Sequence, residues 1–141
     1  MSSSNPAATP VAFRPRILLV EDNDAANRGL AKILEFQGFE VIAVRDGDAA
    51  IRILQKGPPP DFVLTDLRLP DTDGREIARF ARQLVPPPRI ALITGWDIES
   101  DLLGDPALGI EWVFEKPLDT QALISKLRGT YRVDSGDCPP T

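Results

Sequence analysis

The sequence predicts an α/β fold in which a doubly wound parallel sheet carries helices on both faces. Short apolar runs recur along the chain, and most are continuous rather than alternating, as in strands that are buried on both faces. Stretches with helical spacing separate these runs, so that strand and helix alternate. The length of 141 residues corresponds to about one domain, and a composition of 43% hydrophobic and 26% charged residues is ordinary for a globular protein.

Apolar residues and helix-ending residues define the predicted elements. The strands are predicted at Arg16–Val20, Phe39–Val44, Phe62–Thr65, Arg89–Ile93 and Trp112–Phe114. The five helices are predicted around Leu30–Phe36, Ala49–Leu54, Ile77–Leu84, Trp96–Leu103 and Leu118–Leu127. Gly38 is predicted to end the first helix, and Gly129 is predicted to end the last helix. Asp119 is the predicted N-cap of that last helix. One domain of residues 15–130 then lies between a disordered tail of residues 1–14 and a flexible tail of residues 131–141.

Several classes of site and protein are excluded by what the sequence lacks. The chain has no histidine and a single cysteine, so a Ser-His-Asp triad, a Cys-His pair, a histidine-ligated zinc site and an internal disulfide are ruled out. A formal charge of −5 argues against direct binding of nucleic acid. No apolar run is longer than Ile17–Val20 or Ile90–Ile93, and no signal peptide is present, so we expect a cytoplasmic protein without membrane contact.

Polar and charged residues stand at the carboxyl ends of four predicted strands. Glu21 and Asp22 follow the first strand, Asp66 the third, Thr94 the fourth and Lys116 the fifth. In open parallel sheets, ligands bind at this edge, near the point where the strand order reverses. Each residue alone is more often a turn or capping residue than a functional one. All of them together, at four strand ends, indicate a site.

The residue types at this edge favour phosphoryl chemistry. Clustered carboxylates raise one another's pKa, and a hard divalent cation such as Mg²⁺ relieves their repulsion. Together with the ammonium of Lys116, such a cation forms a pocket for a phosphoryl group, to which Thr94 can donate a hydrogen bond. Asp66 is then the candidate nucleophile, and it would form an aspartyl phosphate.

Four segments resemble the receiver domain of two-component response regulators, the fold of the bacterial chemotaxis regulator. They are Ile17–Asn23, Val63–Gly74, Ala91–Gly95 and Glu115–Leu118. The resemblance extends from about Arg16 to Gly129. It implies a flavodoxin-like, three-layer α/β/α fold with five helices and a five-stranded parallel sheet in the strand order 2-1-3-4-5.

The resemblance also implies roles for the acidic residues. Asp66 matches the phosphoacceptor, and Asp22 a direct metal ligand. Glu21 matches the acidic position that acts through a metal-bound water, and the backbone carbonyl of Arg68 matches the remaining protein ligand. The implied cofactor is Mg²⁺, with Mn²⁺ as the alternative.

Further roles follow for the residues that respond to the phosphoryl group. Thr94 matches the switch hydroxyl, and Lys116 the lysine that binds a phosphoryl oxygen. The family often has an aromatic residue three positions before this lysine, where this chain has Val113. Trp112 is the alternative aromatic, although a buried strand residue is the simpler interpretation of it.

Two positions match those that tune the lifetime of the phosphoryl group in this family, namely Arg68 and Trp96. A bulky tryptophan hinders the attacking water, so the resemblance implies slow self-dephosphorylation. The receiver is not an enzyme in the usual sense, since it catalyses only its own phosphorylation and dephosphorylation.

Three alternatives accompany this interpretation. Asp71–Gly74 looks like the motif of haloacid-dehalogenase-type phosphatases, but Asp66 rather than Asp71 stands at the strand end that this chemistry needs. A phosphorylation-independent interaction module would usually lack one of the acids or the lysine. If the chain is a phosphoacceptor receiver, it is either a stand-alone receiver or a piece of a hybrid histidine kinase or larger regulator.

The implied partners follow from the same chemistry. Because the chain has no histidine, the phosphoryl group would arrive from a sensor histidine kinase or a histidine phosphotransfer protein. Phosphorylation would change the binding of a downstream protein, still to be identified, through the face of the fourth helix, fifth strand and fifth helix. The expected assembly is a monomer or a phosphorylation-dependent dimer.

Overall fold

The computed structural model describes residues 14–95 and 104–135, the last five by their backbone alone. Within these ranges, five strands and four helices follow one another along the chain. In order they are β1 (Arg16–Val20), α1 (Asp24–Phe36), β2 (Glu40–Val44), α2 (Gly47–Gln55), β3 (Phe62–Asp66), α3 (Gly74–Ala81), β4 (Arg89–Thr94), β5 (Ile110–Glu115) and α4 (Thr120–Ser135). The fourth predicted helix, Trp96–Leu103, lies outside the described residues.

The strands form one parallel sheet in the order β2-β1-β3-β4-β5, which confirms the predicted order 2-1-3-4-5. From β1 the chain moves outward to β2, and it then returns across β1 to β3. The strand order therefore reverses between β1 and β3, whose carboxyl ends lie side by side. This reversal places the residues after β1 next to the last residue of β3.

Two apolar clusters cover the two faces of the sheet. Along β1, Ile17 and Leu19 face one cluster, whereas Leu18 and Val20 face the other. Side chains from α1 and α4 complete the first cluster, and side chains from α2 and α3 complete the second. Since both faces are covered, the apolar runs of the strands do not alternate with polar residues. The three-layer α/β/α architecture is confirmed.

The strand ends differ from the prediction at the functional edge. Asp66 is the last residue of β3 and Thr94 the last of β4, so both belong to the sheet rather than to the loops that follow. The last strand begins at Ile110, two residues earlier than predicted, and its pairing with β4 shifts register between Ile90 and Ala91. Membership of a strand fixes the backbone of both site residues by interstrand hydrogen bonds.

The two glycines that were predicted to end helices behave differently. Gly38 follows α1 with a φ of 98°, a conformation that favours glycine, and the prediction there is confirmed. Gly129 lies inside α4, which continues to Ser135, so the prediction that Gly129 ends the helix is wrong. A helical glycine costs only about 1 kcal/mol relative to alanine, and the buried Leu123 and Leu127 hold this helix on the sheet.

Asp119 is confirmed as the cap of the last helix. Its Oδ1 accepts hydrogen bonds from the backbone N–H groups of Gln121 and Ala122, each at 3.1 Å.

In the described part of the chain, no helix combines the length and the apolar character needed to cross a bilayer.

We expect Gly129→Ala to raise the free energy of unfolding by about 0.5–1 kcal/mol, because alanine forms helix better than glycine. A Cβ at this position meets no atom within 4 Å. Urea denaturation measures the change. The matched control is Gly38→Ala, which should destabilise the protein by about 1 kcal/mol because of its positive φ. A loss of stability in Gly129→Ala would contradict the helical assignment of this residue.

Candidate functional site

The carboxyl edge of the sheet brings the predicted site residues together. Val20 of β1 is in register with Thr65 of β3, so the residues that follow each of them meet at one level. Thr94 is in register with Glu115, and the backbone N–H of Lys116 donates to the carbonyl of Thr94 at 2.8 Å. The parallel arrangement thereby gathers residues that are far apart in the sequence.

The turn between β1 and α1 orients Glu21. The backbone N–H of Asn23 donates to Glu21 Oε2 at 2.9 Å, while the Asn23 side chain caps α1 by accepting from the N–H of Ala26 at 2.8 Å. Buried Asn27 donates through Nδ2 to the carbonyls of Glu21 at 3.0 Å and Val44 at 2.9 Å. Sequence analysis missed Asn27, which precedes the predicted helix Leu30–Phe36 but lies inside the observed α1, where it is buried.

Three carboxylates and one ammonium form the centre of the site. Glu21, Asp22 and Asp66 each offer a carboxylate oxygen, and these oxygens lie within 4.8 Å of one another. Glu21 is 5% exposed and Asp66 is 3% exposed, whereas Asp22 is exposed to solvent. Lys116 Nζ lies 3.0 Å from Asp66 Oδ1 and 3.5 Å from Glu21 Oε1. One ammonium therefore faces two buried carboxylates.

Burial and mutual repulsion change the proton affinities of these groups. Desolvation, reinforced by the nearby Glu21, raises the pKa of Asp66 from 3.8 to about 7, although the ammonium of Lys116 acts in the opposite direction. Burial by itself would lower the pKa of Lys116, but the carboxylates of Asp66 and Glu21 outweigh burial, and this pKa is raised. The site thus holds more negative charge than its own lysine compensates.

A divalent cation fits this set of groups. Asp66 Oδ1 is buried, and its contact with a positive charge among the described residues is the ammonium of Lys116 at 3.0 Å, which Glu21 also contacts. Carboxylate oxygens are the ligands that hard divalent cations prefer. The group formed by Glu21, Asp22 and Asp66 can therefore hold a metal ion.

The loop after β3 is folded tightly against the site. Arg68 forms an isolated antiparallel bridge with Asp73, and the N–H of Gly74 donates to the carbonyl of Leu67 at 2.7 Å. A Cβ at position 74 would lie 2.5 Å from the carbonyl oxygen of Asp66, a distance that side chains do not tolerate. Glycine at this position allows α3 to begin directly against the backbone of Asp66.

The two candidate switch residues on β5 face opposite sides of the sheet. Val113 packs with the cluster that contains Leu92. Leu92 lies two residues before the buried Thr94 on β4. Trp112 packs with the other cluster, where its ring lies 6.4 Å from that of Phe62. The indole therefore lies across the sheet from Val113. Trp96, which matches a position that tunes the lifetime of the phosphoryl group, is outside the described residues.

A groove adjoins the acidic site on the side of α1. Its cavity has a volume of about 530 Å³, and its walls include Glu21, Ala26, Ile33, Lys116 and Leu118. Ile33 is 40% exposed, a large fraction for an aliphatic side chain beside a charged site. The groove therefore joins apolar surface to the ammonium of Lys116.

We expect Asp66→Asn to stabilise the chelator-treated protein as the pH rises. A carboxyl whose pKa is higher in the folded state binds more protons there than in the unfolded state. The contribution of Asp66 to wild-type stability therefore falls as the pH rises from about 4 to about 7. The variant lacks this penalty and should be more stable at pH 8 by up to about 4 kcal/mol, with little difference at pH 4. Urea denaturation at both pH values measures this. Asp61→Asn, just before β3, is the control, and equal differences at the two pH values would contradict the expectation.

Comparison with known proteins identifies the family of this fold and site. The family model of the response regulator receiver domain matches residues 17–128. The alkaline phosphatase synthesis transcriptional regulatory protein SphR of Synechococcus elongatus is 30% identical over 135 residues, which cover 90% of this chain and 51% of SphR. The transcriptional regulatory protein TrcR of Mycobacterium tuberculosis is 32% identical over 120 residues, covering 85% of this chain and 46% of TrcR. The chain thus spans about half the length of the curated relatives it matches.

Solved structures agree with this relationship. A response regulator receiver protein from Sinorhizobium medicae superimposes with a TM-score of 0.71 at 30% identity, covering 82% of this chain and 93% of that one. The chemotaxis response regulator CheY4 of Vibrio cholerae, at 22% identity, shares the fold with a TM-score of 0.73, covering 83% and 98% of the two chains. The chain belongs to the response regulator receiver domain family of two-component signalling.

Proposed function

We propose that this chain is the phosphoacceptor of a two-component phosphorelay and that Asp66 carries the phosphoryl group. The observation that supports the proposal is the placement of Asp66, buried at the end of β3 between two further carboxylates and the ammonium of Lys116. An Asp66 oxygen attacks phosphorus, the phosphorus–nitrogen bond of a phosphohistidine breaks, and the imidazole leaves with the electron pair. The product is an aspartyl phosphate.

Mg²⁺ is the proposed cofactor, with Mn²⁺ as the alternative. Asp22, Asp66 and the backbone carbonyl of Arg68 would hold it directly, and Glu21 would hold it through a water. When bound, the cation neutralises charge on the carboxylates and on the phosphoryl oxygens. The buried carboxylates of Glu21 and Asp66 support this assignment, because they share the single ammonium of Lys116 and Asp22 adds a third carboxylate beside them.

Lys116 and Thr94 would bind the transferred group. The ammonium already lies 3.0 Å from Asp66 Oδ1, and it would move to a phosphoryl oxygen once Asp66 is phosphorylated. Thr94 ends the neighbouring strand and would donate its hydroxyl to another phosphoryl oxygen. A shift of Thr94 would then alter the face formed by β5, the last helix and the residues after β4, where a downstream protein binds. Val113 offers no aromatic ring to accompany this shift.

The lifetime of the phosphoryl group depends on access of water to phosphorus. Arg68 and Trp96 are the proposed tuning positions, and a bulky Trp96 would slow hydrolysis. The same chemistry applies if this chain is the receiver piece of a hybrid histidine kinase or of a larger regulator. A phosphorylation-independent interaction module is the alternative, and the incorporation of phosphate separates the two functions.

We expect the purified chain, mixed with Mg²⁺ and acetyl phosphate, to incorporate one acid-stable, hydroxylamine-labile phosphate. Asp66→Asn should abolish incorporation because it removes the attacking oxygen. Phosphate-affinity electrophoresis and intact mass measure the product. Asp61→Asn makes the same chemical change at the other end of β3 and should leave incorporation unchanged. Absence of phosphate on the wild-type chain, or its persistence in Asp66→Asn, would refute the proposal.

The proposed donor is a sensor histidine kinase or a histidine phosphotransfer protein, because this chain contains no histidine of its own. Its histidine must approach Asp66 past the rim of the site. The groove beside Lys116 supplies apolar surface there, including the half-exposed Ile33 of α1. We therefore place the docking of the donor on this groove, whereas acetyl phosphate needs only the acidic site.

Ile33→Lys should lower the rate of transfer from a histidine phosphotransfer protein by about tenfold or more, since the new charge disrupts an apolar contact. Phosphorylation by acetyl phosphate should change by less than about twofold. Rates of phosphate transfer from a donor that phosphorylates the wild-type chain measure the first effect. Val85→Lys is the matched control, because Val85 is exposed but lies outside the groove. Equal effects of Ile33→Lys on both donors would argue against docking at the groove.

A further inference from the structure

The loop that follows Asp66 is anchored to α2 by a side chain outside the acidic site. Asp71 Oδ1 accepts from the backbone N–H of Gly47 at 2.9 Å, and Asp71 Oδ2 accepts from that of Asp48 at 2.9 Å. The two partners precede Asp71 by 24 and 23 residues in the sequence. The Gly47 and Asp48 hydrogen bonds also lower the pKa of Asp71, which keeps the side chain charged. One carboxylate thus joins two separate parts of the fold.

Packing at the start of α2 provides a second, independent sign of this contact. A Cβ at Gly47 would lie 2.2 Å from Thr72 Cγ2 and 3.3 Å from Asp71 Oδ1. The φ of Gly47 is not positive, so its backbone conformation does not call for glycine. Glycine lowers helix stability, so another reason is needed for a glycine at position 47. The reason is the side chain of Thr72, which occupies the space that a Cβ would need.

The helix α2 has a cap of its own. Asp46 precedes the helix, and its Oδ1 accepts from the backbone N–H of Ala49 at 2.8 Å. Buried Ala50 and Leu54 fix α2 on the sheet. The hydrogen bonds that Asp71 accepts from Gly47 and Asp48 therefore hold the loop on the helix, in addition to any contribution to the stability of the helix itself.

The loop between the anchor and the site is short and internally tied. Leu69 donates its N–H to the carbonyl of Thr72 at 3.1 Å, and Arg68 forms a bridge with Asp73. These two contacts tie the backbone on either side of Asp71 to the backbone at Arg68 and Leu69. Arg68 is the residue whose carbonyl the proposed function assigns to the cation.

We propose that Asp71 is a positioning residue for the divalent-cation site, acting through the loop that presents the carbonyl of Arg68. This inference rests on the proposed function, since it concerns the same cation. It also gives a role to the Asp71–Gly74 motif: Asp71 accepts hydrogen bonds from α2, and Asp73 caps α3 through the N–H of Arg75. Removing residues that orient metal ligands weakens metal binding by about tenfold or more.

The test is a calorimetric titration of the full chain with Mg²⁺, in which Asp71→Ala is compared with Asp46→Ala. Asp71→Ala should weaken Mg²⁺ binding by about tenfold. Asp46→Ala also removes a hydrogen bond from the start of α2 but leaves the loop untouched, so its Kd should change by less than about twofold. Asp71→Asn keeps one acceptor oxygen and should give an intermediate Kd.

The outcomes separate this inference from the proposed function. Wild-type affinity in Asp71→Ala would overturn the positioning role while the proposed function stands. Equal weakening by Asp46→Ala and Asp71→Ala would also overturn it, because helix stability would then explain the effect. A wild-type chain that binds no Mg²⁺ would overturn both. If Asp71→Ala fails to fold by circular dichroism, the Kd of Asp71→Asn decides between these outcomes.

Discussion

The burial of two carboxylates beside a single ammonium is the constraint on which the rest of this structure depends. Glu21 and Asp66 lie at adjoining strand ends, and Lys116 contacts both. Charges in such a place are costly unless they are paired. The surrounding elements supply fixed polar groups accordingly: the N–H of Asn23 meets Glu21, and Asn27 holds the strand ends in position. What they leave uncompensated is negative charge, so this edge of the sheet can hold a cation.

Much of the fold and the acidic site could be predicted from the sequence, because both depend on simple periodicity. Apolar runs without alternation identify strands covered on both faces, and the carboxyl ends of parallel strands share one edge. Those two facts are enough to bring Asp22, Asp66 and Lys116 together. The order of the strands came from resemblance, since periodicity alone does not decide which strand lies next to which.

The features that the sequence did not reveal depend on contacts between distant segments. Gly129 has the identity of a helix-ending residue, yet packing of α4 on the sheet overrides its low propensity. The face that Trp112 occupies depends on the register of β5, which shifts between Ile90 and Ala91. Asp71 is a turn residue by its local sequence, and only the fold shows that its hydrogen-bond donors belong to α2. In each case tertiary structure supplies the deciding interaction.

The raised pKa of Asp66 connects the stability of the fold to its chemistry. An aspartate attacks phosphorus only in its charged form, and burial with the neighbouring Glu21 disfavours that form near neutral pH. A more exposed aspartate would ionise readily, but water would then reach the acyl phosphate that it is proposed to form. In the proposed reaction, burial would protect the phosphorylated product from water but would also disfavour the charged carboxylate that has to react. A cation bound by Glu21, Asp22 and Asp66 would favour the charged carboxylate without exposing the product to water. For this reason, the proposed combination of a buried aspartate and a bound cation is suited to holding a phosphoryl group.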